Sequence, residues 1–182
     1  MNNLEQIRIH GRGGQGVVTA AELIAIAAFY DGREAQAFPN FGVERSGAPI
    51  QSFVRVSGRK IITREQIYHP TVLIIQDATL LDLPIIFRGA DKSTRIIVNA
   101  PAGSQPELLR RFPQTYFSPA TEIAMEILGK NIVNTVILGA FAKHTGLISL
   151  ASLQKAVAEK FADKGENIIN KNIKAIAQAY ED

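Results

Sequence analysis

The glycines at positions 11, 13, 14 and 16 raise the first question about this chain, which is what it binds. They lie in Gly11-Arg12-Gly13-Gly14-Gln15-Gly16, a G-x-G-x-x-G pattern that follows the short alternating stretch Ile7–His10 and precedes the alanine-rich stretch Val17–Tyr30. Between a strand and a helix, glycines let the backbone turn tightly and come close to a ligand. The helix that follows presents free N–H groups and the positive end of its dipole, which stabilise a phosphate or carboxylate. Gly11, Arg12, Gly13, Gly14, Gln15 and Gly16 are therefore cofactor-binding or subunit-contact candidates. The plainer alternative is that the glycines only permit a tight strand-to-helix turn.

A second unusual segment is Pro39-Asn40-Phe41-Gly42-Val43-Glu44-Arg45-Ser46-Gly47-Ala48-Pro49. It packs an aromatic, an acid and a cation into a loop expected at the carboxyl end of a strand, where ligands and partners of α/β sheets gather. The Arg45 guanidinium can fork onto a carboxylate or phosphate, and Glu44 can orient it or pair with a partner chain. Asn40, Phe41, Gly42, Glu44, Ser46 and Gly47 complete this partner or active-site loop. The alternative is an exposed ion pair in a turn, which contributes little.

Several chemistries are disfavoured by what the residues lack. A dinucleotide fingerprint expects an acid at the end of the second strand to hold the ribose. That strand ends here in Ala37-Phe38-Pro39, and Asp31 and Glu34 fall before it or at its start. A nucleotide-hydrolysing loop ends in Gly-Lys-Ser/Thr, whereas this one continues as Gln15-Gly16-Val17. His10, His69 and His144 have no metal-ligand spacing, Ser46 sits in no nucleophile frame, and Asp77 reads as the cap of a following helix. There is no cysteine, which removes disulfides, thiolate nucleophiles, zinc fingers and cysteine-ligated iron–sulfur clusters. The net charge is +3 with the basic residues scattered, so no stripe suited to nucleic acid is present. No secretory leader pattern and no apolar run of roughly 18–20 residues is found, and a cytoplasmic protein without membrane contact is expected.

The elements that must position these loops follow from periodicity. Glu34–Phe38 and Pro49–Ser57 read as strands, and Ser57-Gly58-Arg59-Lys60 followed by Ile61-Ile62 reads as the return of a hairpin. Val72–Gln76 and Arg95–Asn99 are continuous apolar runs, as expected of strands covered on both faces. Helices are expected over 105–111, 119–129, Thr135–His144, Ser149–Ala162 and from Ile168 to Tyr180. At 182 residues and 46% hydrophobic content, the chain is long enough for one sizeable core, so a single domain over 1–182 is expected. The fold class is α/β: a doubly wound, mostly parallel, Rossmann-like sheet flanked by helices, with an antiparallel hairpin addition and C-terminal helices.

With both loops in view, the chain resembles the gamma subunit of the pyruvate (2-oxoacid):ferredoxin oxidoreductase family. The resemblance rests on Ile9-His10-Gly11-Arg12-Gly13-Gly14-Gln15-Gly16, on Phe41-Gly42-Val43-Glu44-Arg45-Ser46-Gly47-Ala48-Pro49, and on Asn134-Thr135-Val136-Ile137-Leu138-Gly139-Ala140, in that order. It implies a complex that decarboxylates a 2-oxoacid on thiamine diphosphate with Mg2+, passes electrons through iron–sulfur clusters to ferredoxin, and transfers the acyl group to coenzyme A. It also implies alpha, beta and delta companion subunits that carry the thiamine and cluster sites, leaving this chain inactive alone and placed on the coenzyme A side. Gly47-Ala48-Pro49 looks like the pyruvate type, while Ser46 stands where pyruvate enzymes often carry a second arginine. Two rival readings remain: a free-standing dinucleotide-binding oxidoreductase, and an assembly domain whose loops only dock partners.

Overall fold

Val72–Ile75 and Arg95–Asn99 are buried along nearly their whole length and are neighbouring inner strands of a six-stranded sheet. A computed structural model describes residues 4–40, 47–101 and 107–182. Its strands are β1 (Glu5–Arg12), β2 (Glu34–Pro39), β3 (Pro49–Ser57), β4 (Val72–Ile75), β5 (Arg95–Asn99) and β6 (Thr115–Ser118), in the spatial order β2-β3-β1-β4-β5-β6. β1, β4, β5 and β6 run parallel, with Ile9 opposite Ile74 and Ile74 opposite Ile97. β3 pairs antiparallel with both β1 and β2.

Side chains alternate across each strand, so the sheet builds two cores. On one face Ile7, Ile9, Val54, Val72, Ile74 and Ile97 pack under α1 (Val17–Tyr30), α3 (Val133–Thr145), α4 (Leu150–Lys160) and α5 (Glu166–Glu181). On the other, Leu73, Ile75, Ile96 and Val98 pack under the short 3₁₀ turns Ala78–Asp82, Pro84–Phe87 and Glu107–Arg111. Proline at 84 limits helix growth there, because it lacks the N–H that a continuing helix needs.

The mostly parallel α/β sheet with an antiparallel addition stands as expected, and α1 and β5 coincide with their expected bounds. Three local expectations are corrected. The hairpin return at Ile61-Ile62 forms no strand, because both edges of β3 are already occupied by β1 and β2; the antiparallel addition is the β2–β3 pair. The described part of the helix expected over 105–111 is the 3₁₀ turn Glu107–Arg111, and residues 102–106 lie outside the described residues. The helix expected over 119–129 is α2 (Ala120–Ile123) continued by a π-turn over Ala124–Leu128 and ended by Gly129 in the left-handed conformation. β6 is an additional strand at the edge of the sheet, where partial burial leaves no clear alternation.

The residues after β3 are tied to the second face of the sheet by two buried arginines. Arg8 donates to the Ile86 carbonyl (2.8 Å), while Arg55 donates to the Glu65 carbonyl and to Gln36 Oε1 (3.1 Å). Neither guanidinium meets a carboxylate among the described residues. Burial lowers Arg8 to about 10, so it remains charged at neutral pH.

The motif Asn134–Ala140 has a packing basis on the opposite face. A Cβ at Gly139 would collide with the Ile176 carbonyl oxygen and lie 2.9 Å from the Tyr180 nitrogen, so glycine lets the backbones of α3 and α5 touch. Thr135 reinforces the crossing by donating to Asn172 Oδ1 (2.8 Å). Gly139→Val is expected to force α5 outward and destabilise the chain by about 2–3 kcal/mol. Guanidinium unfolding of the variant against the parent checks this; equal stability would mean the helices do not approach as closely as described.

Candidate functional site: a cleft at the carboxyl ends of the parallel strands

β1 is the strand at which the sheet changes sense, with antiparallel β3 on one side and parallel β4 on the other. The chain leaves β1 into α1 on one face and leaves β4 into the turn Ala78–Asp82 on the opposite face. Diverging connections open a crevice beyond the strand ends, the usual ligand position in open α/β sheets. Here it is a cavity of about 430 Å³, lined by Gly14–Gly16, Gln76–Thr79, Asn99, Thr121 and residues 131–134.

The glycine loop forms one wall. Gly14 (φ 94°) and Gly16 (φ 68°) occupy the left-handed region, and a side chain on Gly16 would also run into the Asn134 carboxamide. A Cβ on Gly11 would lie 2.6 Å from Val17 Cγ2. Gly13 and the end of the second loop hold each other through the backbone: Gly13 N donates to the Ala48 carbonyl (2.9 Å) and Gly47 N to the Gly13 carbonyl (3.1 Å). The two segments singled out from sequence are thus one surface where both are described. Asn40 donates its N–H to the Gln51 carbonyl, and its Oδ1 accepts from Gln66 Nε2 (2.8 Å). Phe41, Gly42, Glu44, Arg45 and Ser46 lie outside the described residues.

Asp77 fastens this wall to the sheet. Its carboxylate accepts from Thr79 N (3.0 Å), Thr79 Oγ1 (2.6 Å) and Gln15 Nε2 (3.0 Å), and pairs with Arg12 Nε (3.3 Å). Gln15 closes the ring by accepting from Arg12 N (2.7 Å). Arg12 also donates to Thr79 Oγ1 (2.7 Å) and to the Gly47 carbonyl (3.1 Å), so its guanidinium bridges the two loops. Partial burial works to raise the Asp77 carboxyl, but the bonds from Thr79 and Gln15 and the charge of Arg12 outweigh it and hold the group below its ordinary value. The role read from sequence, capping the following turn, is one part of what Asp77 does.

The floor of the cleft is polar, and sequence reasoning had singled out none of its residues as ligand-facing. Asn99 ends β5, where its Nδ2 donates to the Gln76 carbonyl (2.9 Å) and to Thr121 Oγ1 (2.9 Å), and its Oδ1 accepts from Thr121 N (3.1 Å). Asn134 Nδ2 donates to the Gly16 carbonyl (3.3 Å), joining the start of α3 to the glycine loop. Gln76, at 1% exposure, keeps both atoms of its carboxamide without a partner among the described residues. The available signal was positional: Gln76 and Asn99 are amides closing apolar strands on the same edge of the sheet.

The remaining titratable candidates are placed elsewhere. Asp31 accepts from Ser149 N (2.7 Å), Ser149 Oγ (2.7 Å) and Ser152 Oγ (2.6 Å), at the start of α4. Glu34 begins β2, the end of that strand away from the cleft, since β2 runs in the same sense as β1. Neither Asp31 nor Glu34 therefore stands at the cleft to hold a ribose. His10 lies buried behind the glycine loop, where burial and then the charge of Arg8 push it down to about 3, leaving it neutral. Among the described residues no three His, Asp or Glu side chains gather as a metal site, and no helix is long and apolar enough to cross a membrane.

The chain is similar to known proteins over nearly its whole length. Residues 6–182 match the family model described as pyruvate ferredoxin/flavodoxin oxidoreductase. The pyruvate synthase subunit PorC of Methanocaldococcus jannaschii is 47% identical over 178 residues, covering 97% of this chain and 96% of its own. The pyruvate/ketoisovalerate oxidoreductases common subunit gamma of Pyrococcus furiosus is 44% identical over 180 residues, covering 97% and 95%. Among solved structures, the pyruvate oxidoreductase subunit PORC of Thermotoga maritima superposes with a TM-score of 0.84 at 31% identity, covering 98% of this chain and 96% of that one.

Asp77→Asn tests the fastening of the loop. Because the folded carboxyl lies below its unfolded value of about 3.9, its stabilisation is complete above that pH and is lost as pH falls through the lower folded value. At pH 7 the variant is expected to lose about 1–3 kcal/mol of stability. In urea unfolding, the gap between parent and variant should narrow progressively below pH 4; a gap independent of pH would show that the charge of Asp77 is not what stabilises the loop.

Proposed function

The chain belongs to the pyruvate ferredoxin/flavodoxin oxidoreductase family, and on that premise we propose that it is the gamma subunit of a multichain 2-oxoacid:ferredoxin oxidoreductase of the pyruvate type. In that reaction pyruvate, coenzyme A and oxidised ferredoxin yield acetyl-coenzyme A, carbon dioxide and reduced ferredoxin. The observation that carries the reading is an end-to-end family match in a chain without a single cysteine. Such a chain offers no thiolate to an iron–sulfur cluster, so the electron path runs through companion chains. Neither the sequence nor the described residues present an acidic set suited to the magnesium of thiamine diphosphate. Alpha, beta and delta companions carry that chemistry, and this subunit supplies assembly surface and a receiving wall for coenzyme A.

The receiving role rests on the cleft. Gly14–Gly16 and the starts of α1 and α3 line it, and the two uncapped helix starts offer free N–H groups, a setting suited to a phosphate. Arg12 braces that wall through Asp77 and Thr79, while Arg45, on the adjoining loop, is assigned to the anionic part of coenzyme A. Phe41, Gly42, Glu44, Ser46 and Gly47 are assigned to the same loop's contact with a companion subunit. A free-standing dinucleotide enzyme is not favoured, because Asp31 is engaged at the start of α4.

Purified alone, the chain is expected to be colourless and without turnover, and to restore pyruvate- and coenzyme A-dependent reduction of ferredoxin when added to companions that lack it. Turnover by the isolated chain would refute the assignment. In the reconstituted complex Arg45→Ala should raise KM for coenzyme A about tenfold or more, as expected for losing a charge-assisted contact, with KM for pyruvate little changed. An unchanged KM for coenzyme A removes Arg45 from that role.

A further inference from the structure

One buried group in the cleft is used by nothing around it. Asn99 and Thr121 bond each other, Gln15 bonds Arg12 and Asp77, and Thr79 bonds Arg12 and Asp77. Gln76 differs. Its main chain is held at both ends, with its N–H donating to the His10 carbonyl (2.8 Å) and its carbonyl accepting from Asn99 Nδ2 (2.9 Å). The residue lines the cleft and is 1% exposed, with Oε1 and Nε2 both without a partner among the described residues. Leaving such a group unpaired costs about 1–3 kcal/mol, and unpaired buried amides are rare enough to call for a reason.

The surroundings suggest the reason. α1 and α3 both begin at this cleft, neither start is capped by a side chain, and neither has an acid in its first turn. Two positive helix ends therefore stand beside a neutral group that can donate and accept at once.

We propose that Gln76 is a specificity-determining residue of this cleft: its carboxamide pairs, donor to acceptor and acceptor to donor, with a neutral ligand group presenting both functions side by side, in a ligand whose anionic part lies at the starts of α1 and α3. The inference rests on the reading of the cleft as a coenzyme A wall and deepens it. Within coenzyme A that paired chemistry has two sources, the hydroxyl beside the carbonyl in the pantoyl unit of the pantetheine arm and the edge of the adenine ring. A carboxamide discriminates against ligands lacking the matching pair, because it would then stay buried and unbonded.

The test uses the complex assembled with its companion chains. Gln76→Met keeps the length of the side chain and removes both hydrogen-bonding functions. Dissociation constants for coenzyme A, 4′-phosphopantetheine and adenosine 3′,5′-bisphosphate are measured by calorimetry for parent and variant, together with the unfolding midpoint of the subunit. Coenzyme A is expected to bind about tenfold more weakly, while the midpoint holds or rises because no hydrogen bond among the described residues has been removed. A matching loss with phosphopantetheine alone identifies the pantoyl unit as the partner, and one with the bisphosphate alone identifies adenine; either supports the proposal.

Unchanged affinity for coenzyme A overturns it, and an accompanying fall in the midpoint would make the amide structural. Should the methionine variant fail to assemble, Gln76→Glu removes the donor while keeping an acceptor, and unchanged affinity there is equally fatal. Failure of the parent chain to restore turnover would count against the proposed function and take this inference with it. An active parent complex indifferent to both substitutions would sink the inference alone.

Discussion

Asp77 holds the ligand-facing edge of this molecule together. One carboxylate, at the point where β4 gives way to its turn, gathers Thr79, Gln15 and Arg12, and through Arg12 reaches Gly47 on the second loop. Glycine loops are otherwise costly to order, because glycine loses more conformational freedom on folding than any other residue. The bonds to Asp77, together with the Gly13–Ala48 and Gly47–Gly13 pairs, offset that cost and hold Gly14–Gly16 along the wall of the cleft. A loop fixed in advance loses less entropy when a ligand arrives.

That edge stands on an uneven scaffold. One face of the sheet is covered by long helices whose packing depends on close backbone contact, as at Gly139 against α5, and the Asn134 end of the same helix reaches Gly16. The other face carries 3₁₀ turns and the chain between β3 and β4, tied by Arg8 and Arg55 through carbonyl oxygens. Guanidinium groups suit this work because they donate in several directions and stay charged even when burial lowers them. The helical face supports the cleft, since α1 and α3 both start there.

Legibility from sequence followed the range over which each signal acts. α1 and β5 were readable because propensity and unbroken apolar runs are local properties, and the glycine loop was readable because a strand and a helix flank it directly. The hairpin return at Ile61-Ile62 failed for a non-local reason: whether an apolar pair becomes a strand depends on a free edge, and β3 has none. The helix over 119–129 was right in kind but not in geometry, its second half winding as a π-turn.

Alone, the sequence determined that this is an α/β chain of a recognisable family, that it binds no cluster through cysteine, and that a glycine loop joins its first strand to its first helix. Those properties are compositional or local, and folding does not change them. Only the tertiary structure decided which groups meet: that Arg12 turns back onto Asp77, that Asp31 is taken by Ser149 and Ser152, and that Gln76, Asn99 and Asn134 share one floor. Those residues lie on different strands and helices, brought together by pairing β1 with β4 and β4 with β5 and by packing α1 against α3 and α4.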